Sequence, residues 1–290
     1  MKIKNTDFFI KIFIIIIIVC IICYIKKRNN RTVSNYEDLR VEHFDDFQNT
    51  YDFKQSKKLD KIHYLYWTGG FDSTFRLCEM LIDCGKKVQP IYVSLVLDND
   101  CVTEETCTKL WLRRNRKEER LAMENIIKKI KENYPKLKDN LLDLVEIDEN
   151  INDDRFNYYF EKLFYSNNLW PKKRKKHQYL FLSKYAYYHK KKIDIGVLGI
   201  HEKSKLAKFL NKNLVKSDDN YIINKKNHPL YYINFPLFGR TKEQLLETAQ
   251  KNGYDDILKL TWSCWFPDNG KPCKKCPMCK ERILEHPNND

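Results

Sequence analysis

From residue 61 onward the hydrophobic and polar positions switch between two periods. Ile62-His63-Tyr64-Leu65-Tyr66-Trp67 is apolar-rich and β-prone and predicts a strand. Residues 73–84 place Leu77, Leu81 and Cys84 on one stripe, as a helix face requires, and Gly85 follows where a left-handed C′ residue is expected. Residues 88–97 form a second β-branched run that fits a strand buried on both faces. Met123, Ile127, Ile130 and Tyr134 recur at helical spacing on a helix that Pro135 should end. Residues 141–147 predict a third strand, 179–188 another helix, and 193–199 a fourth strand. Thr241-Lys242-Glu243-Gln244 has capping-box spacing and opens a further helix, which Gly253 closes. This alternation predicts an α/β fold with a doubly wound parallel sheet. The chain contains no internal repeat.

Upstream the texture is different. Residues 8–25 are apolar apart from Lys11 and Tyr24, with an unbroken Ile-rich run at 12–18. At helical rise the segment is about 27 Å long, enough to cross a bilayer as a single transmembrane helix with Lys11 near the interface. A cleaved signal peptide is the rival reading, but Lys26-Lys27-Arg28-Asn29-Asn30-Arg31 follows in place of small residues. Four cations after the segment, against Lys2, Lys4 and Asp7 before it, orient the C-terminal bulk toward the cytosol. Residues 29–60 are a polar linker, basic and then acidic, with few positions to bury. The expected organisation is a membrane anchor over 1–28, the linker over 29–60, an α/β domain over 61–260 and a cysteine-bearing segment over 261–290.

The chain of 290 residues carries 53 Lys and Arg against 39 Asp and Glu, a formal net charge of +14. That surplus favours polyanionic partners, whether nucleic acid, nucleotides or an anionic membrane face, and is equally compatible with a solvated basic surface. The run at 171–176, Pro-Lys-Lys-Arg-Lys-Lys, reads as a solvated loop or as a localisation or nucleic-acid patch. Four of the ten cysteines fall within sixteen residues at metal-ligand spacing, which argues against a secreted disulfide framework. The other six, Cys20, Cys23, Cys78, Cys84, Cys101 and Cys107, read as buried small hydrophobes or free thiols.

Two stretches carry chemistry. Thr68-Gly69-Gly70-Phe71-Asp72-Ser73-Thr74 joins the first strand to the first helix. Glycines allow close approach of backbone to a ligand, the hydroxyls of Thr68, Ser73 and Thr74 can donate to phosphate oxygens, and a helix N-terminus favours negative charge. Asp72 suits Mg²⁺ or a bracing role better than direct phosphate contact. The loop lacks the Gly-Lys-Ser/Thr ending of a Walker motif, and a plain glycine turn is the alternative reading. The second stretch, Cys264, Cys273, Cys276 and Cys279, offers four thiolates to one tetrahedral Zn²⁺ with no open position, so a structural metal is expected; a disulfide pair or an iron–sulfur cluster are the alternatives.

The loop resembles the Ser-Gly-Gly-x-Asp-Ser loop of the PP-loop ATP pyrophosphatases, with Thr68 in the first position. Together with Thr261-Trp262-Ser263-Cys264 and the run from Pro272 to Arg282, it is similar to the 7-cyano-7-deazaguanine synthases within that superfamily. Phe235-Pro236-Leu237 with Thr241-Lys242, residues 116–122, Phe181-Leu182-Ser183 and residues 195–199 extend the resemblance, which covers about residues 61–283. It implies adenylation of 7-carboxy-7-deazaguanine by ATP with Mg²⁺, attack by ammonia, and a second activation to the nitrile. It further implies ATP binding by Trp67, Thr68, Gly69, Gly70, Phe71, Asp72, Ser73, Thr74, Phe75, Arg76 and Leu77, and zinc on the four cysteines. Asp72, Ser73 and Lys242 are the implied catalytic residues, with Lys242 balancing anionic charge. The family's Arg-Asn pair is replaced by His177-Gln178, and an Asp after the glycine-containing strand by Glu202 near His201, both at substrate-recognition positions. Residues 98–108 are an extra stretch. Adenylation of another acceptor, such as a tRNA base or a different carboxylate, and a degenerate membrane-tethered module that binds nucleotide or polyanion, are the competing readings. Free ammonia is the expected nitrogen source, and association into oligomers is left open.

Overall fold

A computed structural model describes residues 61–93, 115–147, 153–166, 178–199, 205–218 and 220–285, all within one compact unit, Lys58–Asp290. The expected anchor and linker lie outside the described residues, as do Cys20, Cys23, Cys101, Cys107, the 98–108 stretch, the 171–176 basic run, His177, His201 and Glu202. Among the described residues no helix is long and apolar enough to cross a membrane.

In chain order the elements are β1 (His63–Tyr66), α1 (Phe71–Cys78, prolonged by a π-helical turn, Glu79–Asp83), β2 (Val88–Val93) and α2 (Arg116–Asn133). Then come β3 (Val145–Ile147), α3 (Asp154–Ser166), α4 (Gln178–Tyr188), β4 (Ile193–Ile195) and α5 (Lys205–Asn213). The chain continues through β5 (Val215–Ser217), β6 (Asn220–Ile222), β7 (Ile233–Asn234), α6 (Lys242–Asn252), α7 (Asp255–Leu258) and α8 (Pro277–Glu285). The sheet order is β3-β2-β1-β4-β7-β6-β5. The strands β3, β2, β1, β4 and β7 are mutually parallel, whereas β6 and β5 run antiparallel at one margin. The expected wholly parallel sheet is thus corrected to a mixed one. Ser217 pairs with Asn220, and a connection of two residues can join only antiparallel strands.

Helices cover both faces of this sheet. Successive strand residues point to opposite sides, so Leu65, Val88 and Tyr92 pack with α1, α2, α6 and α7, while Tyr66, Ile91 and Val93 pack with α3, α4 and α5. Coverage on both sides explains why the strands read as apolar runs with little alternation. The chain order changes direction between β1 and β4. In doubly wound sheets ligands bind at the carboxyl ends of the strands flanking that switch point, and the glycine loop leaves β1 there.

Candidate functional site

The loop after β1 is shaped by its glycines. Gly69 has φ +69°, a conformation costly for residues with a Cβ, and a Cβ there would lie 3.0 Å from the Glu119 carbonyl oxygen and 3.0 Å from Met123 Cγ. Gly70 is the N-cap of α1 and brings no side-chain cap, so the first turn of α1 presents its N-terminal end toward the loop without a capping side chain. Ser73 Oγ donates to the Gly70 carbonyl (3.2 Å) and lies 3.5 Å from the Thr68 nitrogen. Thr74 is fully buried and its Oγ1 accepts from the Trp67 indole N–H at 3.0 Å, beneath the loop. Trp67, Phe71, Phe75 and Leu77 are core residues, and the Arg76 guanidinium is engaged with Asp194 and Glu79. The segment 67–77 therefore divides into a supporting set and an accessible set. Trp67, Thr74, Phe75 and Leu77 hold the loop from below, while Thr68, Gly70 and Asp72 are partly open.

Lys242 arrives from far along the chain. Thr241 caps α6 through a complete capping box, its Oγ1 accepting from Gln244 N at 3.2 Å and its own N–H donating to Gln244 Oε1 at 2.9 Å. This fixes the first turn and turns Lys242 inward, where it is 8% exposed. Its Nζ sits 3.4 Å from Asp72 Oδ1 and 5.3 Å from the centre of the Phe71 ring. A buried ammonium at a loop of main-chain amides supplies a positive potential of the kind an anionic ligand needs. Two of the three residues singled out as catalytic, Asp72 and Lys242, meet directly, and Ser73 lies next to Asp72 in the same helical turn.

The four cysteines also converge. Their sulfurs all lie within 4.8 Å of one another, with Cys276 Sγ 3.5 Å and Cys273 Sγ 3.8 Å from Cys279 Sγ. At metal–sulfur bonds of about 2.3 Å a tetrahedron has edges of about 3.8 Å, so the set fits Zn²⁺, and no pair is bonded as a disulfide. Main-chain N–H groups of Cys273 and Cys276 donate to the sulfurs of Cys264 and Cys273. Burial pushes the thiols of Cys264 and Cys279 up; at Cys273 burial acts in the same direction, but the N–H groups of Lys275 and Cys276, together with the thiols of Cys264 and Cys276, outweigh it and bring that thiol down to about 7. Cys78, buried, and Cys84, exposed, are free.

The two stretches are physically joined. The Trp262 N–H donates to the Gly69 carbonyl at 2.9 Å, and the Trp262 carbonyl lies 3.6 Å from where a Cβ on Gly70 would be. The Trp262 indole donates to the Cys264 carbonyl (2.8 Å), and Arg282 of α8 donates to the Thr261 carbonyl (2.7 Å). The cysteine segment thus packs as a strap along the loop.

Gly196 and Glu119 lie in segments that extend the resemblance, and Gln178 lies at a recognition position, but the sequence carries no signal for the contacts they make here. Gly196 closes β4 so tightly on α1 that a Cβ would stand 2.8 Å from Ser73 N. Glu119 is 7% exposed, with its carboxylate held by the Tyr92 hydroxyl (2.7 Å) and the Asn115 amide (2.9 Å), and its main chain abuts Gly69. Gln178, at a recognition position, accepts from Tyr66 OH at 3.1 Å, which places the start of α4 beside the carboxyl end of β1. Apart from the Asn115–Glu119 pair, four residues apart at the start of α2, these contacts join segments 27 to 123 residues apart, so spacing does not foreshadow them.

No curated protein matches the chain. Residues 184–286, which include Lys242, the Trp262 strap and all four cysteines but begin well after the glycine loop, match the family model described as queuosine biosynthesis protein QueC, the 7-cyano-7-deazaguanine synthase family that the motifs resemble.

Proposed function

We infer that this chain is an ATP-dependent carbon–nitrogen ligase that converts 7-carboxy-7-deazaguanine to 7-cyano-7-deazaguanine, carried on a membrane tether formed by residues 8–25 with the catalytic unit in the cytosol. The carrying observation is the meeting of Lys242 with Asp72, 3.4 Å apart, at the carboxyl edge of the sheet. It joins the glycine loop to the segment that matches the queuosine family model.

In this reading the amides of the loop and of the first turn of α1 hold the phosphates of ATP, Asp72 carries Mg²⁺, and the buried Lys242 ammonium offsets negative charge. The substrate carboxylate attacks the α-phosphorus, pyrophosphate leaves, and an acyl adenylate forms. Ammonia adds to the acyl carbon and AMP departs with one carboxyl oxygen, giving the amide. The amide oxygen is adenylated by a second ATP, again with loss of pyrophosphate. Loss of AMP and of both protons on the amide nitrogen from that intermediate then leaves the nitrile. Zn²⁺ on the four cysteines holds the strap and takes no part in these steps.

The test is AMP, pyrophosphate and nitrile production by the full chain with Mg²⁺, ATP and ammonium, with and without 7-carboxy-7-deazaguanine. AMP formation that depends on the deazapurine, two AMP per nitrile, and a loss of at least about a hundredfold in Asp72→Ala are expected. AMP that appears only when RNA or another carboxylate is supplied would assign a different acceptor. Nucleotide or polyanion binding with no turnover would make the chain a binding module.

A further inference from the structure

The edge of the sheet opposite the glycine loop has its own chemistry. Parallel strands β1, β2, β4 and β7 all enter from that edge, and their first residues stand side by side: His63 pairs with Val88, Tyr64 with Ile193, and Ile193 with Ile233. The connections that deliver them are rich in lysine and, among the described residues, contain no Asp or Glu; in the sequence Asp60 directly precedes Lys61. Lys61 precedes β1, Lys86-Lys87 precedes β2, and Lys190-Lys191-Lys192 precedes β4. Lys225-Lys226 lies in the connection into β7. Segments remote in sequence thus pool their charge along one edge. The acidic groups bordering it are Asp83, which accepts from Tyr254 OH, and Asp139 and Asp143 before β3, the latter two interspersed with Lys136 and Lys138.

Two of these lysines are held against tyrosines. Lys191 Nζ lies 4.9 Å from the centre of the Tyr64 ring, and Lys192 Nζ lies 4.0 Å from that of Tyr231 while donating to the Tyr231 carbonyl. The charges are therefore fixed in place, and the aromatic faces are occupied by ammonium groups. Single-stranded nucleic acid binds through open aromatic faces on which bases stack, which this edge does not offer at Tyr64 or Tyr231. At the centre of the edge the His63 pKa is lowered by burial and then by the charges of Lys86 and Lys61, a sign that their fields overlap. A row of ammonium groups with few bordering carboxylates, two of them already seated on the Tyr64 and Tyr231 rings, suits a surface of phosphate and carboxylate headgroups.

The chain outside the described residues points to the same partner. Sixty residues precede Lys61, they include the apolar run at 8–25, and the polar stretch of 29–60 enters the fold at β1 on this edge. A stretch of that length spans at most about 110 Å. We propose that the lysine edge docks on the anionic headgroup surface of the membrane that residues 8–25 enter, leaving the glycine-loop edge facing solution; the choice of a membrane rests on the tethering reading above.

The experiment uses the full chain with vesicles of phosphatidylcholine alone or with 30 mol% phosphatidylserine, flotation, and amine labelling of the floated protein read by mass spectrometry. Retention on neutral vesicles reports the tether. Docking is expected to appear separately: labelling at Lys190, Lys225 and Lys226 falls at least about threefold on anionic vesicles and recovers in 0.5 M salt, roughly as expected when charges are screened. The exposed triple change Lys190→Glu, Lys225→Glu, Lys226→Glu should leave thermal unfolding and ATP turnover unchanged. In that variant the labelling of Lys86 and Lys87 should no longer differ between the two vesicle types. A chain that does not float on neutral vesicles but binds anionic ones in a salt-sensitive, triple-variant-sensitive way still has the docking surface and lacks the tether. Equal labelling on both vesicles, or protection by RNA but not by phosphatidylserine, overturns the proposal.

Discussion

Gly196 shows how little freedom the site leaves to a single residue. It is the first residue beyond β4, and an added Cβ would fall 2.8 Å from Ser73 N and 2.9 Å from the Asp72 carbonyl carbon. Both neighbours are main chain, which cannot rotate away as a side chain can, so α1 must shift or the strand end must. Gly196→Ala is expected to lower stability by roughly 1–3 kcal/mol, the usual range for overpacking. Pyrophosphate release should fall by at least about tenfold, since a displaced first turn misplaces Asp72 relative to Lys242. Thermal unfolding and turnover of the purified variant measure the two effects, and unchanged turnover would mean that the β4 end does not set the loop. Thr74 makes the complementary point. Its hydroxyl is enclosed and spent on the Trp67 indole, so it serves the ligand through the geometry of the turn.

Elements are tied to one another by a polar network buried beside the loop. Arg76 of α1 places Nε and Nη2 3.1 and 2.8 Å from Asp194 Oδ2 on β4, and Asn234 of β7 donates to Asp194 Oδ1 at 2.9 Å. The same guanidinium meets Glu79, which also binds Arg240, whose guanidinium carbon lies 4.7 Å from the centre of the Phe75 ring. Asp194→Ala leaves the largely buried Arg76 guanidinium with Glu79 alone, which Arg240 shares, and unpairs the Asn234 amide. It should lower the unfolding free energy by about 3–5 kcal/mol in urea, with Asp194→Asn losing less; a loss under about 1 kcal/mol for Ala would show the network to be dispensable. The elements themselves were legible to very different degrees. α6 was readable because its capping box and Gly253 are local chemistry, and Gly253 does adopt φ +76°. β1, β2 and β4 were readable as runs; β1 and β4 are shorter than their apolar stretches because ladder pairing stops before apolarity does, and residues 94–97 of the second run lie outside the described residues. α3 has no counterpart among the elements expected from the sequence, although Phe156, Phe160 and Phe164 fall at i, i+4, i+8 and their rings stack among the helices α3, α4 and α5. Charged neighbours hid that stripe. The β5–β6 hairpin had no signal to find: its residues are exposed or half-buried, so burial leaves no pattern. For the site, the loop and the cysteines were visible as motifs. The contacts Asp72–Lys242, Trp262–Gly69 and Gly196–Ser73 depend on the topology that brings distant segments to one switch point.

At the scale of the whole molecule, that topology makes the cysteine cluster part of the loop's support. Cys279 and Arg282 share α8, Arg282 holds the Thr261 carbonyl, the next residue donates its N–H to Gly69, and its indole returns to Cys264. The cluster's own apolar contacts are few: Phe266, Trp262, Trp265 and Met278 pack around the sulfurs, in a cluster of their own beside the two large cores. So small a nucleus does not hold four cysteines together unaided. Where a metal closes such a site, its binding free energy is largely folding free energy of the segment. Removal of Zn²⁺ by a chelator should therefore release residues 261–282 locally without unfolding β1, β2 or α2, whose contacts lie in the large core. In hydrogen exchange the Trp262 amide, which depends on the strap for its Gly69 partner, should speed up by at least about tenfold, together with amides in α8. Amides of β2 should not change, and restoring Zn²⁺ should restore protection. ATP affinity should weaken in parallel, because Gly69 loses the contact that holds its left-handed turn against Trp262. If the Trp262 amide stayed protected while the α8 amides opened, the strap would be held by Thr261 and the α6–α7 core alone, and the metal would have no hold on the loop.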